Sequence, residues 1–154
     1  MILLGADEKG SEMTVTIAHV TDRGVASRSV RLRPRASAAR IARRLVRDVC
    51  ADSRLPDELI DDAMLVTGHL VTSSVNQSGS AFDVVVEVDA DTVTVRVQDG
   101  LGEARPSTAR RGRKGASRSQ DIIARRSTSW GYYRCGPTRE TWASFRAEPR
   151  YITI

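Results

Sequence analysis

Two short alternations constrain this chain more than any other feature. Phe82, Val84, Val86 and Val88 recur at every second position, as do Val93, Val95 and Val97, with Asp89-Ala90-Asp91 between them. A period of two gives each strand one apolar face, and the short polar link predicts a β-hairpin. That face needs a covering layer, and the residues upstream supply one. From Ser37, a candidate N-cap, Ile41, Leu45, Val46, Val49 and Cys50 recur at helical spacing with arginines on the other side, predicting a helix to about Ala51. Pro56 suits the first turn of a second helix, and Asp57, Glu58, Asp61 and Asp62 place negative charge at the positive end of its dipole. Ile60, Met64, Leu70, Val71 and Val75 carry this helix to about Ser78-Gly79.

The remaining segments extend the same plan. Met13 to Val20 and Val25 to Leu32 flank Thr21-Asp22-Arg23-Gly24 and predict another hairpin. Residues 1–12 read as a loose leader, with Met13 a candidate start and residues 13–154 a single domain. Residues 100–119 hold glycines, a proline and many arginines without periodicity and read as a long loop, the kind that is functional or disordered. A third helix is expected from about Gln120 to Ser129, then short strands at Gly131 to Cys135 and Thr141 to Ala147. Helices grouped against hairpins indicate an α+β, two-layer sandwich rather than a doubly wound parallel sheet.

A chain of 154 residues, 40% hydrophobic and 28% charged, suits one domain with one buried core. No stretch approaches the roughly 18 apolar residues of a membrane helix, and Met1 to Leu4 is too short for a signal-peptide core, so no membrane association and a cytoplasmic location are expected. Cys50 and Cys135 have no metal-ligand spacing and read as two free thiols. The net charge of +5 rests on arginine. Arg28, Arg31, Arg33, Arg35, Arg40, Arg43, Arg44 and Arg47 fall in residues 28–47 without an acid among them, an asymmetry that can steer an acidic partner or nucleic acid. Arg40, Arg43 and Arg47 are the candidate partner contacts. Nucleic acid is the weaker alternative, because the basic stretches lack interleaved aromatics and no helix-turn-helix pattern occurs.

Several blocks, in order, resemble a known family. Ala42-Arg43-Arg44-Leu45-Val46-Arg47-Asp48, Leu55 to Ala63, Val97-Gln98-Asp99-Gly100, Ile122-Ile123 to Trp130-Gly131 and Thr141-Trp142 are similar to segments of the anti-sigma factor serine/threonine kinases. These belong to the histidine kinase, gyrase and heat-shock-ninety (GHKL) ATPase superfamily. The resemblance covers about residues 29–147. It implies a Bergerat-type fold: a mixed, mostly antiparallel sheet with helices on one face, often in homodimers.

The same resemblance implies a Mg-ATP site, and here the chain departs from the pattern. The family motif E-L-V-T-N-A-V-R-H aligns with His69-Leu70-Val71-Thr72-Ser73-Ser74-Val75-Asn76-Gln77, so His69 stands for the catalytic glutamate and Ser73 for the magnesium asparagine. A neutral histidine cannot reproduce an anionic carboxylate beside phosphates, and a serine hydroxyl is shorter than an asparagine carbonyl. His69 therefore reads better as a tolerated polar residue than as a base. Asp99 aligns with the aspartate that accepts the adenine amino proton, and reads equally as an ordinary turn former before Gly100. The phosphate-cradling G-R-G-L aligns with Ser117-Arg118-Ser119-Gln120, where a Cβ at each lost glycine obstructs the backbone's approach to phosphate. Gly112 and Gly115 are loose substitutes. Glu140 takes the place of the threonine partner of Asp99, where a carboxylate would repel it. Arg105, Arg110, Arg111, Arg113, Lys114 and Arg118 fall where the family has its ATP lid; they read as a phosphate or acidic-protein clamp, or more simply as a solvated charge run.

If a nucleotide site is retained, Ser73, Gln77, Asp99, Gly102, Gly115, Arg118 and Glu140 are its residues, with no catalytic or metal position intact. The expectation is an anti-sigma-factor-like regulator that binds a sigma factor or an anti-sigma antagonist, a pseudokinase with no cofactor. The alternative is an active ATP-dependent serine/threonine kinase phosphorylating an antagonist, with Mg-ATP as its cofactor.

Overall fold

A computed structural model of the protein describes residues 2–6, 13–20, 25–77, 79–99, 118–135 and 138–148. Among these residues the order is β1 (Ile2–Ala6), β2 (Met13–Val20), β3 (Ala26–Leu32), α1 (Ala38–Asp52), α2 (Asp57–Gln77), β4 (Phe82–Asp89), β5 (Thr92–Asp99), α3 (Arg118–Arg126), β6 (Ser129–Cys135) and β7 (Thr138–Arg146). The strands form one sheet in the order β1-β2-β3-β4-β5-β7-β6. Every described pairing is antiparallel, so the sheet is not mixed as the resemblance implies.

The valine alternation sets which face is buried. Phe82, Val84, Val86 and Val88 of β4 and Val93, Val95 and Val97 of β5 are buried, joined by Val30 and Leu32 of β3 and Ala143 and Phe145 of β7. The covering layer comes from Ala42, Val46 and Val49 of α1, Ala63, Val66, Leu70 and Val71 of α2, and Ile123 of α3. The intervening strand residues, such as Val85, Glu87, Thr94 and Arg96, stay partly exposed. The protein is thus an α+β, two-layer structure with its helices on one face.

Local chemistry explains the joints. α1 ends with Arg54 at φ 56, and the Leu55 and Arg54 amides donate to the carbonyls of Cys50 and Ala51 at 3.1 and 3.0 Å, which is the Schellman arrangement. The chain then reverses into α2, whose first bond runs from the Ile60 amide to the Pro56 carbonyl at 3.1 Å. Pro56 therefore caps the helix rather than starting it. Ser37 precedes α1 in helical backbone and makes no side-chain cap bond. β4 and β5 are joined through Ala90 at φ 53, because a two-residue hairpin turn requires a left-handed residue.

Several boundaries differ from expectation: β6 starts at Ser129 rather than Gly131, and β7 runs from Thr138 to Arg146 rather than from Thr141 to Ala147. Ile2–Ala6 forms an edge strand along β2 where a loose leader is expected, since the free backbone of β2 offers a template for pairing. α3 runs from Arg118 to Arg126 instead of Gln120 to Ser129, because Ser129 already pairs with Ser144 in the sheet.

Cys50 is buried in the core, and burial pushes its thiol from 9.0 up to about 11. The folded state holds this proton more tightly than the unfolded chain. The stability it contributes is therefore present below pH 9 and is lost as pH rises from 9.0 towards 11. In a Cys135→Ser background at pH 8, Ellman's reagent should label native Cys50 about 100-fold more slowly than in urea, from the thiolate fraction alone. Labelling within about threefold of the unfolded rate would place this thiol at the surface.

Candidate functional site

α2 sets His69, Ser73 and Gln77 at successive four-residue steps, so they form one polar stripe. The stripe runs from half-buried His69 to exposed Ser73 and Gln77, and the buried positions of the helix include Thr67 and Ser74 beside its apolar residues. β5 ends at Asp99, whose parity with Val93, Val95 and Val97 turns it to the helix side, and it is only 5% exposed. In the register of β5 against β7, the residue opposite Asp99 is Arg139. α3 opens with exposed Arg118, followed by Ser119.

These groups form two separate hydrogen-bonded sets. Arg139 donates through Nε to Asp99 Oδ1 at 3.0 Å and through Nη2 to Oδ2 at 2.8 Å, a two-point fork that satisfies both carboxylate oxygens. Its third nitrogen, Nη1, donates to Gln77 Oε1 at 2.6 Å. Gln77 in turn donates from Nε2 to Ser73 Oγ at 3.3 Å. One turn earlier, His69 Nδ1 lies 3.0 Å from Ser119 Oγ and ties α2 to the start of α3. The hydrogen bond and charge of Asp99, helped by the Tyr132 phenol, outweigh burial and raise the guanidinium's affinity for its proton. Asp99 is thus an ion-paired carboxylate, and the turn expected after it lies outside the described residues.

The structure links Ser73 and Gln77 to Asp99 through Arg139 at one end of the α2 and β5 pair, whereas His69, two turns earlier, is bonded to Ser119, the neighbour of Arg118. Gly102, Gly112, Gly115, Ser117 and the basic residues 105–114 lie outside the described residues, as does most of the expected 100–119 loop. Glu140 requires a correction. It pairs in register with Gln98 and so lies on the open face of the sheet. There Arg96 bridges it at 3.2 Å and Glu87 at 2.5 Å. Sheet alternation therefore puts Glu140 on the wrong side to repel Asp99, and Thr141 and Arg139 on the right side. Sequence reasoning missed Arg139 by starting the last strand at Thr141. The available signal was a charged residue at a core-facing parity, two positions before Thr141.

The arginine segment is partly compensated in space. Arg28 pairs with Asp52, Arg31 lies 3.7 Å from Asp83, and Arg47 lies 3.7 Å from Asp48, so the eight charges are not all free as the sequence suggests. Arg40 and Arg44 are exposed on α1. Arg43 leans on α2, where a Cβ at Gly68 would lie 3.0 Å from its Nη1. At the far end of α2, Asp57, Glu58, Asp62, Arg126 and Arg146 line an open cleft of about 600 Å³. A helix of this length, from Asp57 to Gln77, separates that cleft from the Asp99 end by about 30 Å.

Among the described residues no three His, Cys, Asp or Glu side chains gather to hold a metal ion, and no helix is long and apolar enough to cross a membrane. No protein-family model matches the chain, and no curated protein matches it in sequence.

Proposed function

We propose that this protein is an anti-sigma-factor-like regulator that binds a sigma factor or an anti-sigma antagonist through a fold of the GHKL type whose nucleotide pocket is no longer used. The observation that carries this reading is the fork between Arg139 and Asp99. The carboxylate that the family resemblance assigns to the adenine amino group has both oxygens taken by the protein's own guanidinium. With Ser73 engaged by Gln77 and His69 engaged by Ser119, the residues aligned with the ATP site satisfy one another. What remains for function is surface, and α1 offers the exposed arginines Arg40, Arg44 and Arg47 beside Arg43.

A cationic helix face speeds encounter with an acidic partner, and the effect is screened by salt. Association rates of the full chain should be measured by biolayer interferometry against recombinant sigma factors and anti-sigma antagonists. Reversing Arg40, Arg43 and Arg47 to glutamate is expected to slow association with the cognate partner by about tenfold or more at low ionic strength, and by less at high salt. Unchanged association at low ionic strength would make the face a solubilising one. Binding to no member of either class would remove the proposed function.

A further inference from the structure

We infer that the outer groove between α1 and α2 is the docking site for an amphipathic helix of an acidic protein, with Leu65 the apolar anchor and Arg43 the anchor for a carboxylate. The inference rests on the regulatory reading above and names the form of partner that reading takes. First, Leu65 is 43% exposed, the one exposed large apolar residue of α2 among the described residues. At about 100° per residue it shares the solvent side of the helix with Asp61 and Thr72. The same geometry puts Met64, Gly68 and Val75 on the edge of α2 that borders α1, where Met64 and Val75, with Ala39 of α1, are only partly buried. Second, Arg43 lies across this floor. A Cβ at Gly68 would meet its Nη1 at 3.0 Å and its Cδ at 3.7 Å and, among the described residues, nothing else within 4 Å. Gly68 has no positive φ that would call for glycine, and glycine is the poorest residue after proline for a helix interior. The position makes room for a guanidinium, and that guanidinium meets no acid: among the described residues Arg40, Arg43 and Arg44 form no ion pair, whereas Arg28, Arg31 and Arg47 do.

Third, charge gives the groove a direction. The chain reverses between α1 and α2 and Arg43 meets Gly68, so Arg40, Arg43 and Arg44 flank the later half of α2, away from Asp57 and Asp61 at its start. One wall is cationic and the other carries Leu65 and Thr72, which fits a helix with carboxylates along one flank of an apolar stripe. A helix rather than an extended strand follows from the spacing. Both walls repeat once per turn, about every 5.4 Å, whereas a strand repeats on one face at about 6.7 Å and slips out of step. From Asp61 to Thr72 the groove offers about 16 Å, three turns of contact.

The test uses the full chain and a stapled helical peptide with leucines on one face and glutamates along one flank; its control carries lysines in place of the glutamates. Affinity is read by fluorescence anisotropy at low ionic strength, and position by nitrogen-15 amide shifts. The glutamate peptide should bind about tenfold or more tightly than the lysine peptide, with shifts centred on residues 39–47 and 61–75. Leu65→Ser and Arg43→Gln, both changes at side chains that reach the surface, should each weaken it by about tenfold. Gly68→Ala separates docking from stability: it should raise the urea midpoint through helix propensity while weakening the peptide about threefold by pushing Arg43 aside. No binding of the glutamate peptide at millimolar concentration, shifts centred elsewhere, equal binding of the lysine peptide, or undiminished affinity in Leu65→Ser and Arg43→Gln overturns the inference. Because the peptides are designed, a chain that binds them in the groove but binds no sigma factor or antagonist loses the regulatory reading alone, and a chain that binds such a partner but not the peptide loses only the groove.

Discussion

Arg139→Ala should lower stability by about 3–5 kcal/mol in urea unfolding, the range for removing one member of a buried ion pair. The asymmetry of burial makes this more specific. Removing Arg139 strands a carboxylate that is 5% exposed, whereas removing Asp99 leaves a guanidinium whose 23% exposed side chain can turn towards water. Asp99→Ala should therefore cost less than Arg139→Ala, although both remove the same two hydrogen bonds. Replacing the pair by apolar residues of similar volume, Asp99→Leu with Arg139→Met, should restore most of the loss, because no charge is then left unpaired. If each single variant costs less than about 1 kcal/mol, the pair behaves as a surface contact and the buried fork is wrong. A double variant as damaged as the sum of the singles would show that the loss is packing rather than charge.

The second large effect concerns Mg-ATP. Wild type should show a Kd above about 100 µM by calorimetry, which is weaker than roughly −5.5 kcal/mol. The family resemblance supplies five restoring changes: His69→Glu, Ser73→Asn, Ser117→Gly, Ser119→Gly and Glu140→Thr. The geometry alters what these five can do. Glu140 is engaged with Arg96 on the opposite face of the sheet, so its replacement should be silent for nucleotide binding. Arg139 still occupies Asp99 in that variant, and an incoming base would have to displace a two-point, charge-assisted contact. The five-fold variant should therefore remain as weak as wild type, and adding Arg139→Ala should improve affinity by about tenfold or more. Tight binding by wild type or by the five-fold variant would show that Arg139 is no obstacle. A folded six-fold variant that still ignores Mg-ATP would count against the family resemblance itself.

Much of this fold was legible from periodicity alone. The β4 and β5 hairpin and both long helices follow from valine alternation and from apolar spacing, which act within a few residues of chain. The bounds of α2 in particular were readable, because Pro56, Asp57 and Glu58 mark a helix start chemically. The strand β1 was not readable, since a short run such as Ile2-Leu3-Leu4 gains its structure from a partner edge rather than from its own pattern. The candidate site was half readable. Motif order picked out His69, Ser73 and Asp99, and the structure ties Ser73 to Asp99 through Gln77 and Arg139 but His69 to Ser119 on α3. The role of Arg139 and the misplacement of Glu140 both turn on a register between strands more than 35 residues apart, which one-dimensional spacing does not encode.

That same register bears on how the chain assembles. β1 with β2, β2 with β3, β4 with β5 and β6 with β7 are short-range pairings, whereas β3 with β4 joins residues as distant as Ala26 and Val88, and β5 with β7 residues as distant as Thr92 and Arg146. Closing such stretches costs chain entropy before any contact repays it, so local hairpins lead and these seams follow. The charge fork closes the seam of β5 and β7 at its shortest separation, between Asp99 and Arg139. Arg139 and Asp99 act as a clasp across the seam, and the part of their contact formed after the folding transition state lengthens the lifetime of the finished sheet.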